Sequence, residues 1–255
     1  MQLFSRLSGK PNLSWIEKRL FKDRNEKRLL EITGPVSSGK TELLLQIIIN
    51  IILPKELYGM EFNGFEGNVV FIDTSYKFSI LRMVMLIEYL LIKHKGSDSD
   101  SEKSEEFIEN CLARFYKMSC STSKELIVSL LSLEPFLKAS SNVFLLVIDD
   151  LYAYHLIDRL ESGHNKQTSS QYVETVLGIL KRYVKEFSLN VILTKSDTCT
   201  WYTGNPGNQD VLMNRFSVQN KNLSTGTFSF LKKLSSSKFS FVCDYQITTD
   251  GVRFL

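Results

Sequence analysis

Apolar residues recur along this chain in two rhythms that take turns. Asn68–Thr74, Val143–Ile148 and Asn190–Lys195 are short, nearly continuous apolar runs, the pattern of strands buried within a sheet, while Arg28–Thr33, partly alternating, and the short Phe115–Cys120 read as further strands. Between them, Glu42–Leu53, Phe78–His94, Glu106–Ala113, Ser123–Leu137 and Tyr172–Phe187 carry apolar residues at helical spacing, and Pro54 with the loop Gly59–Gly67 closes the first of these helices. Strand and helix in alternation predict an α/β fold with a mainly parallel central sheet and helices on both faces. Toward the end of the chain the rhythm shortens to alternation. Thr227–Leu231, Lys238–Gln246 and Gly251–Leu255, with a turn at Thr249-Asp250-Gly251, predict an antiparallel carboxyl-terminal edge.

The intervals between these elements are polar. Leu151–Ser170 reads as a charged connecting segment and Trp201–Ser217, rich in Gly, Asn and Pro, as a loop. Residues 95–106, acidic and serine-rich, contain no apolar residue from Gly96 to Glu106 and so predict a flexible surface loop, either a plain linker or a phosphorylation target. Met1–Lys27 mixes basic residues with Leu13, Trp15, Ile16, Leu20 and Phe21, and Ser14 stands where it would cap a short amphipathic helix. That stretch is too small for a core of its own. It reads as an arm over residues 1–27, an interaction element, ahead of one domain over residues 28–255.

Composition narrows the field only modestly. A chain of 255 residues buries an ordinary single-domain core, and a formal charge of +3 does not by itself imply a nucleic-acid partner. The cysteines, Cys111, Cys120, Cys199 and Cys243, form no CxxC pair and keep no company of histidines, which argues against zinc and against a disulfide framework. No apolar run is long enough to span a bilayer, so a membrane partner is not expected.

Two stretches carry chemistry. Gly34-Pro35-Val36-Ser37-Ser38-Gly39-Lys40-Thr41 fits the phosphate-loop pattern at every defined position, between a feeding strand and a helix whose amino end would face the phosphates. Glycines let successive N–H groups turn toward a triphosphate, Lys40 brings a point charge to the outer phosphates, and Thr41 offers a hydroxyl to Mg²⁺. Val143–Ile148 is wholly apolar and closes on Asp149-Asp150, which is what a Walker B strand requires; apolar strands ending in Asp also serve as plain turn starters.

Gly34–Thr41, Val69–Thr74 and Leu145–Ala153, taken together and in this order, resemble the RecA/RadA-type recombinases. Ile52–Lys55, Phe71–Phe78, Cys111–Phe115 and Ser132–Glu134 are similar to their eukaryotic paralogues, and the resemblance extends over about residues 28–200. It implies a RecA-like P-loop NTPase core that binds ATP and Mg²⁺. Gly34, Pro35, Val36, Ser37, Ser38, Gly39, Lys40, Thr41 and Arg82 would bind the nucleotide, and Thr41 and Asp149 the metal. It also implies a nuclear protein of homologous recombination and double-strand break repair, joined to another recombinase paralogue in a heteromeric complex and assisting recombinase loading on single-stranded or branched DNA. The stretch ahead of Gly34 leaves no room for the family's amino-terminal helical domain, the expectation for a short member of such a complex. Loops after Asp149 and Thr194 correspond to the family's DNA loops and make Arg159, Lys166, Trp201, Tyr202 and Arg215 candidate DNA contacts; Trp201 and Tyr202 fit equally well as residues packed on the sheet or on a partner.

Two departures from that pattern bear on hydrolysis. Where active relatives place a glutamate after Asp-Thr to activate water, this chain has Ser75, and where they place a glutamine after the later strand's Thr, it has Lys195. A largely structural, nucleotide-binding subunit with weak or absent hydrolysis is therefore expected. The competing readings are an active DNA-dependent ATPase and an unrelated P-loop kinase; for the latter, Arg159, Arg182 and Arg215 are too scattered to form a phosphate lid.

Overall fold

The computed structural model describes residues 10–22, 28–57, 59–95, 101–161, 166–197, 213–222, 224–234 and 238–255. After a short helix α1 (Leu13–Ile16), the chain alternates through β1 (Leu29–Gly34), α2 (Lys40–Ile52), the small hairpin β2 (Glu56–Leu57) and β3 (Met60–Glu61), β4 (Asn68–Asp73), α3 (Ile80–Lys95), α4 (Ser101–Leu112), β5 (Phe115–Ser119) and α5 (Ser123–Ala139). It continues with β6 (Val143–Asp149), α6 (His155–Glu161), α7 (Lys166–Phe187) and β7 (Asn190–Ser196), then the tail strands β8 (Met213–Asn222), β9 (Thr227–Lys233), β10 (Phe239–Thr248) and β11 (Gly251–Phe254).

Among the described residues nine strands share one sheet in the order β11-β10-β9-β8-β1-β7-β6-β4-β5. The six from β8 to β5 are parallel, and β8 through β11 pair antiparallel. This is the α/β architecture that the alternating pattern predicts. Successive residues of a strand face opposite sides, so each inner strand feeds two cores. Ile32, Phe71, Val147 and Ile192 pack under α2 and α3, while Leu29, Ile72, Ile148 and Leu193 pack under α5 and α7. Each face thus lies beneath helices, which is why these strands are apolar along their whole length. Among the described residues no helix is long and apolar enough to cross a membrane.

Three sequence expectations need correction. The acidic stretch is helical from Ser101 onward, because Phe107 and Cys111 bury one turn apart and the glutamates ahead of them favour a helix amino end; residues 96–100 lie outside the described set. Residues 213–217 belong to β8 rather than to a loop, paired in parallel with β1 from Leu29↔Met213 to Thr33↔Ser217, a pairing set by a strand far away in the sequence. Within the arm, Leu13, Ile16, Leu20 and Phe21 are buried in this chain's own core, and the cap of α1 is Asn12, whose side chain accepts from Leu13 N, not Ser14. Lys10 Nζ donates to Phe187 O at 2.7 Å and Lys22 Nζ to Val242 O at 2.7 Å, pinning the described part of the arm along one end of the sheet.

Candidate functional site

β1, β4, β6 and β7 run parallel and end on one rim, and that shared direction brings distant residues together. β1 turns directly into the loop Gly34–Gly39, and α2 starts at Lys40. Two glycines are required by the geometry. A β-carbon on Gly34 would stand 2.8 Å from Ser38 Oγ and 2.9 Å from Val218 O, and Gly39 has φ 78° with Ile247 Cδ1 2.4 Å from where its β-carbon would be. Between them Ser37 also adopts a left-handed φ of 60°.

Lys40 folds back over its loop. Its ammonium donates to Gly34 O at 2.9 Å and Pro35 O at 2.7 Å, and burial lowers its pKa against the opposing pull of Asp150, Asp149 and Asp197. Thr41 Oγ1 donates to Asp149 Oδ2 at 3.0 Å, and Thr194 Oγ1 donates to Asp149 Oδ1. Asp149 is 5% exposed, and burial raises its pKa despite those two hydroxyls. The donor set of one carboxylate and one hydroxyl, both hard oxygens, suits Mg²⁺, and the hydroxyl has only to rotate to present a lone pair. Among the described residues no cluster of three or more His, Cys, Asp or Glu side chains could hold a metal independently.

The rest of the rim is stitched together by its own polar groups. Thr74 Oγ1 donates to Asp150 O and accepts from Asp150 N, both at 2.6 Å, while the Asp150 carboxylate accepts from Tyr152 N and Ser196 N. Asp197 N donates to Gly34 O, so the end of β7 is fastened to the loop. Asp73, the β4 neighbour of Asp149 in register, is 1% exposed and ion-paired to Lys117 at 3.2 Å. It ends β4 level with Asp149, two residues before Ser75.

Of the other sequence candidates, Arg82 does reach the start of α2. Its guanidinium pairs with Glu42 at 3.3 Å and donates to Thr248 O at 2.8 Å and to Thr249 O. Arg159 lies on α6 and Lys166 begins α7. Trp201 and Tyr202 lie outside the described residues. Arg215 is on β8 opposite Glu31, three residues before the loop, and is ion-paired to Glu31 at 3.4 Å. It therefore stands on a strand below the rim and not in the loop after Thr194. Sequence reasoning missed Asp150 and Thr74 as rim ties and missed Tyr245, whose hydroxyl donates to Ser38 O at 3.2 Å; no local pattern marks a tail tyrosine that meets a loop 207 residues earlier.

Comparison with known proteins agrees with this fold. The sequence model of the Rad51 family matches residues 24–204. The chain is 33% identical over 196 residues to the DNA repair protein XRCC2 of Mus musculus, covering 76% of this chain and 66% of that protein. It is 31% identical over 219 residues to the XRCC2 homolog of Arabidopsis thaliana, covering 73% and 59%, and 34% identical over 128 residues to the DNA repair protein RAD51 homolog 3 of Cricetulus griseus, covering 48% and 34%. The matched part thus spans from about one third to just under two thirds of these relatives' length.

Proposed function

The chain belongs to the Rad51 family, and on that premise we propose that it is a nucleotide-binding subunit of a recombinase-paralogue complex that promotes homologous recombination and double-strand break repair by assisting recombinase loading on single-stranded DNA, with little ATP hydrolysis of its own. The observation that carries this reading is the contrast between the two halves of the rim. The binding half is complete: the loop is formed, Lys40 is poised over it, and Thr41 meets Asp149 at 3.0 Å. On the hydrolytic side, the position after Asp73-Thr74 is Ser75, which cannot take a proton at neutral pH, and Asp73 is buried against Lys117; both support a low rate of hydrolysis.

ATP with Mg²⁺ is the proposed ligand, and the metal, when bound between Thr41 and Asp149, neutralises phosphate charge. Lys40 would exchange its two loop carbonyls for phosphate oxygens. The relatives are DNA repair proteins by name, and the names RAD51 homolog 2 and RAD51 homolog 3 among them support a partner that is another recombinase paralogue, and a nuclear location. DNA contact is assigned to the segments after Asp149 and Thr194, with Arg159, Lys166, Trp201 and Tyr202 as the side chains to test.

The test is reconstitution. Recombinase assembly on single-stranded DNA is measured with the chain and a paralogue partner present, alongside ATP turnover with and without DNA. Faster assembly without DNA-stimulated turnover by the isolated chain supports the proposal; strong DNA-stimulated turnover by the isolated chain would identify an active ATPase instead.

A further inference from the structure

Ser38 lies between two left-handed residues, Ser37 at φ 60° and Gly39 at φ 78°, and from within the loop Lys40 ties Gly34 O, Pro35 O and Ser38 Oγ. Further contacts come from the other end of the chain. Tyr245 on β10 is fully buried, its ring stacked on Phe228 with centroids 5.4 Å apart, and its hydroxyl donates to Ser38 O at 3.2 Å. Two residues on, Ile247 fills the space above Gly39. At the turn into β11, Arg82 ties Thr248 O and Thr249 O to Glu42 in the first turn of α2.

We infer that Tyr245 is a positioning residue for the nucleotide loop, and that the β10–β11 hairpin is the brace that holds the loop in its phosphate-binding shape. The inference rests on the reading of Gly34–Thr41 as a phosphate loop and adds to it a control element from the tail. In a trans peptide the carbonyl and the following N–H point in opposite directions. A phenol fastened to Ser38 O therefore aims the Gly39 N–H the other way, into the cradle where a phosphate oxygen is received. Ile247 blocks the loop from flipping through Gly39, and the Arg82 tie keeps hairpin and helix start in step. Without the hydroxyl, the Ser38–Gly39 peptide loses its outside partner, and the affinity falls by the fraction of time the loop spends in other shapes.

The reciprocal statement also holds: a ligand that favours the braced loop must also favour the docked hairpin. The test uses the full chain. A fluorescent ATP analogue with Mg²⁺ is titrated into wild type, Tyr245→Phe and Lys40→Ala, with thermal midpoints of the free proteins, and hydrogen exchange is followed by mass spectrometry with and without nucleotide. Tyr245→Phe is expected to bind about two- to tenfold more weakly, the worth of one neutral hydrogen bond, with a free-protein midpoint within a few degrees of wild type. Nucleotide is expected to slow exchange in residues 245–249 of wild type as well as in residues 34–41, and to slow the latter less in Tyr245→Phe. Equal affinity of Tyr245→Phe and wild type overturns the inference and leaves the phosphate loop standing. A wild type that binds no nucleotide overturns both. Should Tyr245→Phe not fold, the wild-type exchange data decide, and protection confined to residues 34–41 overturns the brace.

Discussion

The hydroxyl of Thr41 lies 3.0 Å from Asp149 Oδ2 and donates to it, joining the first turn of α2 to the end of β6 across 108 residues of sequence. That contact fixes the depth of the candidate site. It sets the one hydroxyl and the one carboxylate of the proposed metal position side by side, at the foot of a loop whose cation already points inward.

Replacement of the acid separates binding from stability. Burial makes an ionised Asp149 costly in the free protein, so Asp149→Asn removes a buried charge while keeping the shape. The thermal midpoint of the free variant is expected to equal or exceed that of wild type, while the gain in nucleotide affinity on adding Mg²⁺ falls more than about tenfold, a loss on the order of 1.4 kcal/mol or more. Isothermal titration with and without Mg²⁺ reads both. A variant that keeps its Mg²⁺ response would place the metal elsewhere.

The same carboxyl sets a pH dependence. Its folded pKa is raised by burial, so its contribution to the stability of the free protein is present below the ordinary aspartate range and is lost as pH rises through the folded value. Mg²⁺ requires the anion and so has the opposite slope: Mg²⁺-dependent nucleotide affinity should fall as pH drops through that raised value, before an exposed aspartate would protonate. Affinity measured in steps from neutral pH down to the ordinary aspartate range checks the sign, and in Asp149→Asn this slope should be absent.

Lys40→Ala removes the cation that now caps Gly34 O and Pro35 O. Nucleotide affinity should fall more than about tenfold, as expected when a charge-assisted contact worth roughly 1.5–3 kcal/mol is lost. If the chain acts chiefly as a structural subunit, cells carrying this variant keep most of their repair capacity. A collapse of repair with the complex still assembled would make nucleotide binding by this subunit indispensable.

Much of this site is written in short, contiguous signals. The loop is eight consecutive residues, and Asp149 ends an apolar strand, so both stand out in the chain and both fall on the rim. Strands β4, β6 and β7 were legible because burial on both faces leaves a nearly unbroken apolar run. What escaped depends on pairings between distant segments. β8 reads as a loop because Asn214 and Arg215 interrupt its apolar residues, and its strand character comes from β1. The helix at Ser101 escaped because its acidic turns are held by Phe107 and Cys111 further along. The pairing of Asp73 with Lys117 and the bond from Tyr245 to Ser38 join separate strands, and no spacing within either segment encodes them.

The most direct test of a subunit that binds ATP but scarcely turns it over is single-turnover hydrolysis of bound ATP with Mg²⁺, by wild type and by Ser75→Glu. The variant places a carboxylate where Ser75 now stands, beyond the buried Asp73. A positioned general base is worth roughly 10² to 10⁴ in rate. The account predicts wild type that holds its ATP intact over the assay and a measurable gain in Ser75→Glu; rapid hydrolysis by isolated wild type would contradict it.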